Sequence, residues 1–381
     1  MTTQVYGNGT NSSAGANTIT HYYDRAGIKA ANRVNVYGQF MDRKSMPNKM
    51  GKTFKISKFL HMYDRSVNDN EFGAKGFLSL RSIDDVSAAL ASASLVEGAG
   101  AVNERTLEKV TMQTTLARYG EMINYTDEVD LFSEDSIQVR YREELGELAN
   151  SRMEDLMQLD MLATPTVMYG GSATAIGELD ADSRVTYDLM RKATRKLVRN
   201  RAKKNTQMVV GSDKIGTTSV AKSYYAVIGA NVKGDLESLT RGTVAANGQT
   251  EFVYNPAHKY ANASTLAEGE VGAMHEIRFI ESESAVVYSG KGDTVPSDYA
   301  GDLASTADKF DAFPILFPTQ GAFASVGLKG QGKIKFHSKA PQVVTDSNPY
   351  GTKGFFSYNF FYAGIILEEE KLLKILVTAS Q

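Results

Sequence analysis

An α+β fold is predicted by three features of the chain. Apolar and polar residues alternate over 53–62 and again over 110–125. One amphipathic run over 133–163 is long enough for a single very long helix, and roughly the last seventy residues are dense in strand patterns. At 381 residues the chain exceeds one core, since single cores stop growing near roughly 250–300 residues. Forty-two Lys and Arg against 44 Asp and Glu leave a net charge of −2, and there is no Cys. That absence excludes disulfide scaffolds, thiolate metal sites and thiol nucleophiles together.

The first twenty residues are polar and Gly-rich, the pattern of a mobile tail. They lack the basic start and apolar run of a signal peptide. The longest apolar stretch, 360–367, is eight residues with a glycine inside it, whereas a membrane span needs about 20. A soluble protein made in a cytoplasm is expected. Residues 21–41 are weakly helical, and over 25–58 nine Lys or Arg stand against the single acid Asp42. In the strand over 53–62, Phe54, Ile56, Leu60 and Met62 share one face, which only Lys58 interrupts. A matching strand returns at Val110, Met112 and Leu116, then shifts face to Tyr119, Ile123 and Tyr125.

Between these strands lie more than forty residues with polar turns, small residues over 87–94 and a break at Glu97, Gly98, Ala99 and Gly100. A compact domain rarely carries so long an irregular excursion without a use for it. It is either a surface insertion or an arm reaching onto a neighbouring molecule. The long helix follows, with Ser133 as its cap and Thr164-Pro165 as its stop. Ile137, Tyr141, Leu145, Leu148, Leu156 and Leu159 mark its apolar side, and thirty-odd residues make a rod of roughly 45 Å. Gly146 costs about 1 kcal/mol relative to alanine, which predicts close packing or a bend there.

A second helix is predicted over 186–200, with Leu189, Met190, Ala193 and Leu197 inward. Buried strands are predicted over 207–211 and 224–229, a short helix over 232–239, and two strands over 277–288 around the turn 281–284. Further strands are predicted over 315–317, 321–328, 333–336, 355–367 and 372–377.

Motifs of catalysis fail one by one. Gly51-Lys52-Thr53 ends like a phosphate loop, but Met46 replaces its first glycine and a strand follows. Residues 327–333 have the glycine spacing, but Ile334 replaces the hydroxyl that would hold Mg²⁺. No two of the five histidines share a helical i, i+4 pair, and Asp69 and Lys75 break the calcium-loop pattern over 64–75. Glu143, Glu144 and Glu147 share a helix surface, read here as a solvated or subunit-facing stripe. Charge is more telling. Residues 121–160 hold twelve acids and three bases, and residues 191–204 hold eight bases and no acid. The basic helix is either an ordinary solvated face or a contact for an acidic surface, including a copy of the same chain. It lacks the aromatic interleaving of a nucleic-acid recognition element.

The order of elements and several strings resemble the N4-type major capsid proteins of tailed phages. The strings are 47–56 (Pro-Asn-Lys-Met-Gly-Lys-Thr-Phe-Lys-Ile), Glu97-Gly98 followed by Leu107, 114–120 (Thr-Thr-Leu-Ala-Arg-Tyr-Gly), Asp127, and the ending from Gly354 through 363–367 to Ile375. The resemblance covers roughly residues 20–381. The triad Glu368, Glu369 and Glu370 and the insertion-like stretch 289–309 depart from it. It implies an HK97-like capsid fold: an N-terminal arm (1–50), an extended β loop with flanking peripheral-domain strands (51–130), a spine helix of the peripheral domain (131–179), a mixed axial domain (180–310) and a strand-rich C-terminal part (311–381).

The implied function is mechanical. Copies assemble as pentamers and hexamers into an icosahedral shell around double-stranded DNA, with no cofactor, no catalysis and no membrane. Scaffolding, portal and cement proteins are the further partners of such a shell, which assembles in the host cytoplasm. Subunit contacts are expected at Phe72, Phe77, Glu97, Gly98, Gly100, Glu143, Glu147, Arg195 and Arg199. Arg25, Lys29, Arg33, Arg43 and Lys44 are expected to face DNA, because non-specific phosphate attraction requires only basic side chains. The same fold also builds bacterial cargo compartments, and the imperfect glycine loops are the best argument for a nucleotide-binding enzyme.

Overall fold

The computed structural model describes residues 35–59, 83–95, 97–98, 107, 109–132, 137–207, 219–240, 253–259, 266–330, 334–341, 343–344 and 348–381. The first half of the chain forms β1 (Asp42–Met46), β2 (Thr53–Phe59), α1 (Ile83–Ala93), β3 (Lys109–Thr115), β4 (Ala117–Thr126), α2 (Asp127–Phe132), α3 (Ile137–Leu162) and β5 (Val167–Tyr169). Then come α4 (Tyr187–Arg199), β6 (Asn205–Gln207), β7 (Ser219–Ile228), α5 (Ala230–Glu237), β8 (Asn255–Pro256), β9 (Glu270–Met274) and β10 (Ile277–Glu281). The chain ends with β11 (Ser305–Thr306), β12 (Lys309–Phe310), β13 (Phe313–Phe317), β14 (Phe323–Leu328), β15 (Lys335–Lys339), β16 (Lys353–Ile366) and β17 (Leu373–Val377).

Eight strands make the larger sheet, in the order β5-β17-β13-β7-β10-β9-β8, with β6 also paired to β7. Residues 224–228 are buried on both faces, as their unbroken apolar run requires. Tyr224, Ala226 and Ile228 join one core with Leu189, Met190, Ala193 and Leu197 of α4 and Val232 and Leu236 of α5. Tyr225 and Val227 point the other way, into a core shared with Leu145, Ala149, Met157 and Met161 of α3. α4 forms where its pattern predicts. The Thr186 hydroxyl caps it by accepting the Leu189 N–H at 3.2 Å, and its apolar stripe faces the sheet.

A five-stranded sheet runs β1-β14-β16-β15, with β4 paired to β16. Along the fourteen residues of β16, Phe356, Tyr358, Phe360 and Tyr362 alternate inward against α3. The Tyr125 and Phe356 rings stack at 5.4 Å. On the opposite face, Ala324, Val326, Ala363 and Ile365 meet Phe54, Ile56 and Met112 of the β2–β3 hairpin. α3 therefore shares its core with both sheets, and β2–β3 covers the outer one.

Several expectations need correction. α3 is 26 residues, about 39 Å long at about 1.5 Å per residue, and Ser133 lies outside the described residues. Leu159 is 55% exposed, because the buried stripe runs through Met157, Met161 and Leu162 instead. Gly146 is not closely packed, since an added Cβ would meet no atom within 4 Å. Small residues over 87–94 build most of α1, where alanine's helix propensity outweighs the turn-like look of the serines. Residues 277–288 hold one strand, β10. Its hairpin partner is β9, turning at His275 with φ 56°, while Tyr288 makes only a bridge to Ala312. The stretch 289–309 folds locally. β11 and β12 pair across Ala307 and Asp308, both at positive φ as a tight hairpin turn demands. Asp311 fastens it by accepting the Gly290 N–H at 2.6 Å and the Thr306 hydroxyl at 3.0 Å.

Candidate assembly surfaces

The β2–β3 hairpin is in register from Thr53 opposite Thr115 to Phe59 opposite Lys109. Its base is fastened to the end of β16. The Thr114 hydroxyl donates to the Gly364 carbonyl at 2.9 Å, and Leu116 N–H donates to the Lys52 carbonyl at 2.9 Å. Lys58, the one polar residue on the apolar side of β2, reaches Glu368 at 2.7 Å. The two residues that look out of place in the sequence thus satisfy each other, both partly buried. Beyond this base the chain exposes apolar side chains: Met50, Phe59, Ile83, Leu90, Leu95 and Leu107, and, after β3, Met122, Leu131 and Phe132.

Glu97 and Gly98 form an exposed turn, with Gly98 at φ 80°. Phe72, Phe77 and Gly100 lie outside the described residues, as do Arg25, Lys29 and Arg33. So do the tail and the calcium-like stretch 64–75. Arg43 and Lys44 are exposed on β1, which pairs in parallel with β14. Glu143 is exposed on α3 and Glu147 is half-buried. Arg195 and Arg199 are exposed on the outer face of α4 beside Arg191 and Lys192. The described ones among these residues thus lie on different elements: the turn at 97–98, β1, α3 and α4.

The charge segments are less uniform than their sums suggest. Glu154, counted in the acidic run, is 2% exposed, and its Oε1 accepts the N–H groups of Val36 and Tyr37, the latter at 2.6 Å. Gln158 donates to the Tyr37 hydroxyl at 2.8 Å. Together they hold the entry of the N-terminal segment against α3. No sequence signal separated Glu154 from its exposed neighbours except its place one turn before Met157 and Gln158. Asp160 also faces inward. Burial pushes its carboxyl above the ordinary value, against the opposing pull of the Tyr362 hydroxyl and the Gly364 N–H. Gly364 is required there, because a Cβ would come within 2.2 Å of Asp160 Oδ2. In the basic run, Lys196 turns inward to the Val167 carbonyl, and burial lowers its pKa despite the nearby Glu370.

Among the described residues, neither glycine-rich string is built into a phosphate cradle. Lys49 and Gly51 adopt positive φ, and Thr53 opens β2 rather than a helix, so the Gly-Lys-Thr triplet has no helix N-terminus to complete a phosphate cradle. Residue 330 is likewise a turn glycine, at φ 75°, ahead of β15. Among the described residues no cluster of three His, Asp or Glu side chains could hold a metal ion. No helix among them is long and apolar enough to cross a membrane.

No family model matches the chain. The major capsid protein of Pseudomonas phage KPP21 is 29% identical over 388 residues, an alignment spanning 97% of this chain and 95% of that protein. The chain is a relative of phage major capsid proteins and has their fold. The capsid of Ralstonia phage GP4 aligns at TM-score 0.58 and 12% identity, covering 98% of this chain and 99% of its own. The cyanophage Pam1 capsid aligns at TM-score 0.58 and 12% identity over 97% of this chain and 98% of its own. The expectation of an α+β capsid fold is met.

Proposed function

We propose that the protein is the major structural subunit of an icosahedral phage head and carries out no catalysis. The observation that supports this most is the end-to-end match to a phage major capsid protein, 97% of this chain against 95% of that one. Copies then pack as pentamers and hexamers in the virion shell, after synthesis in the host cytoplasm, with double-stranded DNA inside. In that frame residues 1–50 are the arm, 51–130 the extended loop and its flanking strands, and 131–179 the spine. Residues 180–310 are the axial domain, and 311–381 complete both bodies.

The extended loop overlaps a neighbouring subunit through its exposed apolar side chains. Glu143, Glu147, Arg195 and Arg199 contact other subunits, since contacts that close around an axis need different patches on opposite sides of one subunit. The basic residues that precede β1 face DNA by phosphate attraction. Electron microscopy of the expressed protein, alone and with the other head proteins of its phage, tests the reading. Uniform hollow shells containing this chain are expected. Monomers under both conditions would overturn it.

A further inference from the structure

A groove of about 720 Å³ opens between β1, β14 and α3. Half-buried Met41, Met153 and Phe361 line it, and exposed Arg43, Lys44 and Lys329 stand around it. Methionine side chains adapt to the shape of an incoming apolar group. The groove thus combines an adaptable apolar floor with a cationic rim.

We propose that this groove receives α2 of a second copy of the chain, an inference that rests on the capsid reading. α2 reads Asp-Glu-Val-Asp-Leu-Phe, three acids in six residues. Its last two side chains, Leu131 and Phe132, are 68% and 84% exposed. Together they form an apolar end that a partner can cover. The charges select between candidates, because an acidic helix suits the exposed Lys44 and Lys329, and like charges at a contact are strongly unfavourable. α1 carries Asp84 and Asp85 too, but its exposed Ile83 and Leu90 stand seven positions apart, so it presents a more dilute apolar end. The basic stretch around Phe336 has the wrong sign.

Glu154 also lines the groove, but it is buried and its Oε1 is already engaged by two backbone N–H groups, so it does not face the incoming acids. Groove and α2 lie on different parts of one subunit. A contact between two different patches can pass from each copy to the next, the kind that closes into rings and shells.

The test places a benzophenone amino acid at position 132 of the full-length chain and irradiates assembled particles. Cross-linked peptides mapped by mass spectrometry are expected to join 132 to peptides containing 41–46 or 325–330 of another copy. Particles whose cross-links map to other surfaces, to α1 contacts or to nothing would overturn the proposal while leaving the capsid reading intact. Absence of particles from the unmodified chain and its head partners would instead overturn the capsid reading. A charge exchange gives a second measurement. Lys329→Glu and Glu128→Lys are each expected to lower particle yield by about tenfold, and the double variant to recover most of it. Losses that add in the double variant would sink the pairing.

Discussion

Residues 180–310 and residues 50–132 treat their apolar side chains in opposite ways. In the first region Tyr225, Ala226, Val232, Leu236 and Phe279 are at or near zero exposure, and among the described residues only Val198 of α4 stands out as a large exposed hydrophobe. In the second, Met50, Phe59, Ile83, Leu90, Leu95, Leu107, Leu131 and Phe132 are each more than half exposed. Burial in the first region is completed within the chain. In the second, the described residues leave it incomplete. The difference separates a two-sided sheet that stabilises the subunit by itself from a hairpin side whose surface, under the proposed function, gains free energy when copies meet. Substitutions in the two regions should then separate folding from assembly.

The largest effect on folding is expected at Phe279, fully buried between β7 and β9 in the core under α4. Phe279→Ala should destabilise the subunit by about 3–5 kcal/mol, measured by denaturant unfolding of the monomer. A loss below about 1 kcal/mol would show that the two-sided sheet is not the stabilising body. Glu154→Ala comes next. It removes the acceptor of two buried N–H groups, so a loss of about 1–3 kcal/mol is expected, with faster hydrogen exchange at Val36 and Tyr37. Unchanged exchange at those two amides would mean that the N-terminal segment is held by something other than this carboxylate.

Deletion of residues 65–105 tests the other half of the comparison. The shortened chain should unfold within about 1 kcal/mol of the parent, because the described residues of the excursion, 83–95 and 97–98, join none of the buried cores, yet should form no shells in the electron microscope. Normal particles from this deletion would remove the extended loop from the assembly contacts.

Much of this division is visible in the residues before any coordinates. α4 and β16 are legible because their periods of about 3.6 and 2 are clean, with Thr186 as a hydroxyl cap and a run of alternating aromatics over 356–362. β7 is legible because an unbroken apolar run has no other use than a strand covered on both faces. The hairpin β9–β10 is not, since His275 and Glu276 carry none of the Gly or Asn chemistry that marks tight turns. Nor is Glu154, whose surroundings are decided by residues 36–37, more than a hundred positions away. Lys58 shows the same limit from the other side. It breaks an alternation until Glu368, distant in sequence, is seen beside it.

The smallest predicted effect is one of pH, and it probes the interior of α3 where the two cores meet. Burial raises the Asp160 carboxyl above its ordinary value. At pH below that of an unfolded Asp, about 3.9, both states hold the proton and the residue is neutral in its effect on folding. As pH rises past that point the unfolded chain releases its proton first, so the folded state binds more protons and stability falls with pH until the folded carboxyl also ionises. The sign is opposite to that of a salt-bridged aspartate. Asp160→Asn removes the titration with little change of side-chain shape. The stability of the variant relative to the parent should therefore climb as pH rises from the ordinary Asp range and then level off, in denaturant titrations of the monomer. Parallel pH profiles for the two proteins would mean that Asp160 ionises in the fold as freely as in water, and that the cleft between α3 and β16 is wetter than its packing indicates.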